Sequence, residues 1–260
     1  ILLIRPLSWL SIVGIFFTLA LYTRDKFLIF LVIFSIIYLA VFNQWQSSMI
    51  TLSSIIIAVP IGVLLGILLG IFSYKSQILE KIITPILDLM QTVPVFAYLV
   101  PILVMFGFGP VSALIATIIY AMPPMVRTTL LALNNIDPQL KESGIMSGCT
   151  ERQLMWKVLI PVSKPTLLIG VNQVIMLSLN MVIIASMIGA GGLGYDVLAS
   201  LRRLDIGGGI ESGIAIVVLA IALDRLSQSF ANLPSLTKKK QINFYTKYKK
   251  IIFLLLYIVI

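Results

Sequence analysis

Histidine is absent from the 260 residues, and cysteine occurs once, at Cys149. The first absence removes His-based catalytic triads and His/Cys zinc sites; the second removes disulfides and Cys-ligated clusters. Charge is scarce too: 11% of residues are Asp, Glu, Lys or Arg, and only ten are acidic. No Gly-x4-Gly-Lys-Ser/Thr phosphate loop occurs anywhere in the chain. The three tryptophans, Trp9, Trp45 and Trp156, are scattered, so no aromatic cage for a cation is legible. What remains is apolar: 59% of residues are hydrophobic and the mean hydropathy is +1.07. A soluble domain cannot hide that much apolar surface, so lipid is the solvent for much of the chain.

Long apolar runs predict an all-α polytopic membrane fold with about seven spans, at about 5–22, 27–42, 49–72, 85–106, 111–126, 166–189 and 208–226. A further apolar run opens at Ile251 after the basic segment KKKQINFYTKYKK. The first residue is Ile and the last lies inside an apolar run, the pattern of a piece of a longer chain. Sixteen of the nineteen Lys and Arg fall in the alternate loops 23–26, 73–85, 127–165 and 225–250. Only Arg5, Arg202 and Arg203 lie on the other side. The positive-inside rule then puts 127–165 in the cytoplasm and the N-terminus outside. It also reads the net charge of +9 as membrane topology rather than nucleic-acid binding.

The loop KESGIMSGCTERQLMWKVLIP, residues 141–161, reads as two short helices joined by an elbow. Asp137-Pro138 is a capping side chain followed by a first-turn proline. Gly148 stops the first helix, and Thr150 through Gln153 has the spacing of a capping box that starts the second. Leu154, Met155, Val158 and Leu159 form one apolar stripe, with Glu151 and Arg152 on other faces. Pro161 is expected to end this helix. A rigid helix–elbow–helix transmits force; the plainer reading is a solvated connector between spans.

Polar groups inside a bilayer are costly, so each needs a reason. Gln173 and Asn180 are two turns apart and share a face, with Met176 between them and Asn172 one residue round. This face either lines a solute path or makes interhelical hydrogen bonds. Asp88 and Gln91 sit near the cytoplasmic end of their span, beside Met90, Thr92 and Pro94. There they form a gate lining or an interfacial ion pair with a loop lysine. Arg127 is read as snorkelling to the interface, and Asp224-Arg225 as a local pair at the membrane edge. The glycine-rich GAGGLG at 189–194 follows a membrane helix rather than a strand, so it suits a tight external turn and not a nucleotide cradle.

Glu142, then Gly148 six residues on, then Val158-Leu159-Ile160-Pro161 resembles the permease signature of binding-protein-dependent ABC importers. That signature runs Glu-Ala-Ala, three residues, Gly, nine residues, Ile-x-Leu-Pro. Ser143 and Gly144 stand in place of the alanines, Val158 in place of Ile and Ile160 in place of Leu. Gly144 weakens the first helix by up to ~1 kcal/mol. The stretches QTVPVFAYLVPILVMFGFGP, YAMPPMVRTTLLAL, GVNQVIMLSLNMVIIASMIGAGGLG and LRRLDIGGGIESGIAIVVLAIALDRLSQ are similar to the permeases of glycine betaine/proline betaine uptake systems. Together these cover roughly residues 50–230.

The resemblance implies a type I importer core of five helices over 46–230, with 1–45 as two accessory helices and 231–260 as a basic cytoplasmic segment opening a further helix. It implies a bacterial inner-membrane assembly of two permease subunits, most simply a homodimer. Two ATPase subunits holding ATP and Mg would sit below, and an external substrate-binding protein, or a binding domain fused after the last run, above. No cofactor is expected on this chain. Glu142, Ser143, Gly144, Gly148, Arg152, Val158, Ile160 and Pro161 would form the ATPase-coupling loop. Met90, Thr92, Asn172, Gln173, Met176 and Asn180 would be candidates for the path. Betaine, proline betaine, choline, carnitine and trimethylamine N-oxide all stay open as solutes, since the binding protein would select among them. Two other readings compete: a permease for another small solute such as an amino acid, and a gradient-driven secondary transporter. The second predicts paired intramembrane carboxylates or inverted repeats, and neither is evident. An intramembrane enzyme is disfavoured by the missing histidines and acidic constellations.

Overall fold

The structure, a computed structural model, describes residues 26–231 together with Gly14 and Thr18. The span expected at 5–22, those two positions aside, and everything after 231 lie outside the described residues. The described chain forms helices only: α1 (Lys26–Val41), α2 (Trp45–Lys75), α3 (Gln77–Thr92), α4 (Val95–Phe106), α5 (Pro110–Asn134), α6 (Pro138–Met146), α7 (Glu151–Ala185), α8 (Leu193–Arg202) and α9 (Ile206–Ala231). Four of them, α2, α5, α7 and α9, are long and apolar enough to cross a bilayer. Counting the bent pair α3–α4 as one span gives five. The run expected at 27–42 becomes α1, whose 16 residues fall short of the ~20 that a straight span needs.

Two expectations about helix ends are corrected. The single span expected at 85–106 is broken: α3 and α4 meet at 100°. Pro94 has no N–H and clashes with a helical predecessor, and Val93 accordingly adopts an extended conformation with φ −69° and ψ 132°. Pro161, by contrast, does not stop its helix. Residues Leu154–Leu159 widen into a π-helical turn, in which Ile160 N–H reaches back to the Met155 carbonyl. That local unwinding absorbs the proline's missing donor and ring, so the helix runs on for 35 residues to Ala185. At 1.5 Å per residue this is roughly 52 Å, enough to cross the membrane and stand clear of it.

The centre of the fold is the packing of α2, α5 and α7. Gly62, Gly66 and Gly70 repeat every fourth residue along one face of α2. A Cβ added at Gly66 would stand 2.5 Å from Cβ of Met125, and one at Gly70 2.5 Å from Cβ of Thr129. On α7, Gly170 lies against Met125 and Thr128 in the same way. The helices therefore touch backbone to side-chain stem, as small residues permit in a lipid setting where packing, not hydrophobicity, drives association. Met125 is fully buried there, among Ala121, Ala132, Leu167 and Val174. Polar α5 side chains at this interface are satisfied within their own helix. The hydroxyls of Thr128 and Thr129 donate to the carbonyls of Pro124 and Met125 at 2.6 and 2.7 Å.

At one end of this trio the first turns of α7 pack on the tips of α2 and α5, and α6 packs on those turns. At the other, the turn 186–192 and α8 close over the start of α2. Gly66→Ala and Gly70→Ala should each lower the stability of the purified protein by about 1–3 kcal/mol, read as a fall in thermal midpoint. Gly213→Ala, which meets no atom within 4 Å, should leave it unchanged or raise it. Equal midpoints for all three would remove close approach as the organising contact.

Candidate coupling loop and solute path

The elbow is built by its own caps. The Asp137 carboxylate accepts from the Gln139 amide at 2.9 Å, opening α6. Gly148 sits at φ +77°, a conformation glycine takes without penalty. Around it Cys149 N–H donates to the Gly144 carbonyl at 3.2 Å and Gly148 N–H to that of Ile145 at 2.9 Å, the paired bonds of a Schellman ending. Thr150 and Gln153 then exchange bonds: Thr150 N–H donates to Gln153 Oε1 at 3.0 Å, and Gln153 N–H to Thr150 Oγ1 at 3.4 Å. The expected capping box is present, and α7 starts from it.

The two arms are clamped at Gly144, which is buried. A Cβ there would meet Cδ1 of Leu154 at 2.5 Å. This glycine thus brings α6 against the first turns of α7, a role that its cost to helix propensity did not reveal. Met155 and Leu159 point inward to Ile71 of α2 and to Leu133 and Ile136 at the end of α5. Burying each is worth about 1.5–3 kcal/mol. Lys141 adds a tie, with Nζ 5.2 Å from the centre of the Tyr74 ring. Leu154 and Val158 of the expected stripe are half-buried, as is Ile160.

The outward surface of the loop carries Glu142, Ser143 and Arg152, and also bare apolar side chains: Ile145 is 61% exposed, Met146 87% and Trp156 57%. Pro161 is exposed on the same arm. The loop is therefore a fixed knob with an apolar tip, mounted on the ends of α2 and α5.

The polar stripe of α7 divides. Gln173, Met176 and Asn180 are exposed in a line that continues through Ile169, on a face turned away from α5. Asn172 turns inward instead, and its buried Oδ1 has no hydrogen-bond partner. Met90 and Thr92 lie elsewhere, on α3, which packs on α2 and α5 rather than on α7. The Met90 carbonyl accepts from the Tyr98 hydroxyl, a bond that spans the break between α3 and α4. Thr92 is exposed and its hydroxyl donates to Leu89 O at 3.1 Å.

Two ionic expectations are corrected. Asp88 takes no loop lysine: its carboxylate pairs with the guanidinium of Arg127 on α5. Both side chains are about half exposed, so the pair joins α3 to α5 more by geometry than by energy. Asp224 bonds Gln228, one turn on at 2.9 Å, rather than Arg225. The glycine-rich turn behaves as expected. Gly189, Gly191 and Gly192 all have positive φ, and the Leu193 amide donates to Thr51 Oγ1 at 3.1 Å.

Residues 62–233 match the model of the family described as binding-protein-dependent transport system inner membrane component. The chain is 45% identical over 209 residues to a trimethylamine N-oxide transport system permease protein, TmoV, of Pelagibacter ubique, covering 80% of this chain and 28% of that protein. It is 45% identical over 195 residues to the glycine betaine/proline betaine permease ProW of Salmonella typhimurium, covering 75% and 55%. To the glycine betaine permease OpuAB of Bacillus subtilis it is 40% identical over 221 residues, covering 85% and 74%. The chain thus spans only about a quarter to a half of the first two relatives. Among solved structures, the inward-facing methionine transporter MetNI superposes with a TM-score of 0.64 at 20% identity, over 70% of this chain and 91% of that one, which speaks for the fold alone. The helical core, the elbow loop and these likenesses agree: the chain belongs to the binding-protein-dependent transport system inner membrane components.

Proposed function

We propose that this chain is the permease subunit of an ATP-driven importer for glycine betaine or a related osmoprotectant, a quaternary ammonium compound or trimethylamine N-oxide. The observation that carries the reading is the fixed elbow loop with its apolar tip, in a chain 40–46% identical to permeases of such systems. The amino-acid alternative has only fold-level likeness at 20–22% identity behind it.

In mechanism, this chain supplies geometry and no chemistry. A separate ATPase, carrying ATP and Mg, closes and opens beneath the membrane. Met146 and Ile145 seat in a recess of that partner, and Glu142, Ser143 and Arg152 border the contact. Because Met155 and Leu159 lock the knob to α2 and α5, its displacement becomes a displacement of those helices rather than of a loop. Gly148 and the capping box keep the knob stiff, and Val158, Ile160 and Pro161 carry the motion into α7. A second copy of this permease completes the pathway. Gln173 and Asn180, with Met176 between them, face it and offer neutral hydrogen-bonding groups to a zwitterion, while Asn172 holds an unused acceptor buried behind them. Met90 and Thr92, at the α3–α4 break, line its cytoplasmic mouth. The elbow lies in the cytoplasm, the N-terminus outside, and an external binding protein, separate or fused, chooses the solute.

The test is ATP-dependent uptake of radiolabelled glycine betaine into vesicles holding the chain with its ATPase and binding protein. Gly148→Pro, whose fixed negative φ cannot form the elbow, should abolish uptake while the complex still assembles. Gly144→Ala should transport normally, because the atom its methyl meets is the movable end of Leu154. Equal uptake by Gly148→Pro and the unaltered chain would reduce the knob to a connector. Absence of betaine uptake, with ATPase activity stimulated by another solute, would keep the permease and discard the solute class.

A further inference from the structure

The coupling loop and the neutral face of α7 leave the Asp88–Arg127 pair without a task. Asp88 of α3 and Arg127 of α5 meet through Oδ1 and Nη2. Arg127 stands two turns before the end of a spanning helix, so the pair lies at the edge of the membrane rather than beyond it. Its Nε is buried and has no hydrogen-bond partner, which leaves the guanidinium a free donor beside the bond it makes. Charges at this depth are costly unless they face water or take part in what passes.

The rest of α3 shows which way the pair faces. Gln77, Glu80, Lys81, Thr84, Asp88 and Gln91 recur at three- and four-residue spacing, which puts them within roughly 100° of one another around the helix. All are exposed except Glu80, which is half-buried. Ile78, Ile82, Ile86 and Leu89 are exposed on another side, and Leu87 turns to Val126 and Leu130 of α5. Lipid can cover the isoleucines but not the polar stripe, so the stripe faces water. A hollow of about 520 Å³ runs along its first half, from Gln77 to Pro85, and Asp88 stands one turn beyond.

We propose that Asp88 and Arg127 form an exchange site for zwitterionic solutes on the cytoplasmic side of the path. This rests on the importer function proposed above and gives it two charged residues that favour a solute bearing both charges. A half-exposed pair adds little stability, so it opens readily. A zwitterion replaces both partners at once: its carboxylate takes the guanidinium, with the free Nε–H as a second prong, and its ammonium group takes Asp88. A solute with one charge leaves either the carboxylate or the guanidinium unpaired at the membrane edge. The pair then closes behind the departing solute. The competing role is a simple tie between α3 and α5, for which hydrogen bonding suffices.

The experiment uses the full complex and reads uptake of radiolabelled glycine betaine beside the thermal midpoint. Asp88→Asn with Arg127→Gln keeps a hydrogen-bonded link and removes both charges. It should cut uptake about tenfold, the loss of one charge-assisted contact, while the midpoint holds. A second readout needs no binding protein: modification of Arg127 by phenylglyoxal in the purified complex, followed by mass spectrometry of its peptide. Glycine betaine should slow that modification severalfold, and choline, which lacks the carboxylate, should not. Normal uptake by the neutral pair makes the contact a tie and overturns the site, as does lost uptake together with a lowered midpoint. Equal slowing by both solutes, or slowing by neither, overturns it too. If the unaltered complex takes up no betaine, the importer function falls and this site with it; uptake that the neutral pair leaves unmoved removes the site alone.

Discussion

Everything in this fold hangs on how closely α2 can approach α5. Lipid offers helices no hydrophobic reason to associate, so contact area and fit must hold them together. Gly66 and Gly70 leave room for the stems of Met125 and Thr129, and Gly170 brings α7 onto the same two turns of α5. Three helices locked at this distance move as a body. That rigidity gives the elbow its meaning, because Met155 and Leu159 are anchored on the ends of α2 and α5. A knob anchored to a loose bundle would move without consequence.

Around this trio the other elements are held less firmly. α3 joins the trio through the half-exposed Asp88–Arg127 pair and packing of Leu87 on Val126 and Leu130. The 100° break before α4 is bridged by the Tyr98 hydroxyl on the Met90 carbonyl. At the far end, the turn 186–192 is tied to α2 by Thr51 and to itself by Ser186, whose hydroxyl donates to the Gly191 carbonyl at 2.9 Å. The molecule thus has a stiff axis running from elbow to far turn, with the bent pair beside it on few polar links.

Sequence patterns disclosed the loop almost completely, because caps act over a handful of residues: Asp137 on Gln139, Thr150 on Gln153, Gly148 on its own turn. They disclosed the long spans for the same reason, since an apolar run carries its own length. They failed where identical letters meet different surroundings. Pro94 breaks a helix and Pro161 does not, yet nothing adjacent separates them. The difference lies in the widened turn 154–159, held by packing on α2 and α5. Asp88 and Arg127 stand 39 residues apart, so neither announced the other. Gly144 looked like a weakness in α6 until the position of Leu154 showed what it makes room for. The short α8 has no long apolar run and left no signal beyond its arginines.

The central claim is that the elbow touches the ATPase and the opposite end does not. A photo-crosslinking residue placed at position 146, and separately at position 201, in the assembled complex tests this directly. The account predicts a covalent adduct with the ATPase subunit from position 146 alone. Adducts from position 201, or none from 146 in a complex that still hydrolyses ATP, would contradict it.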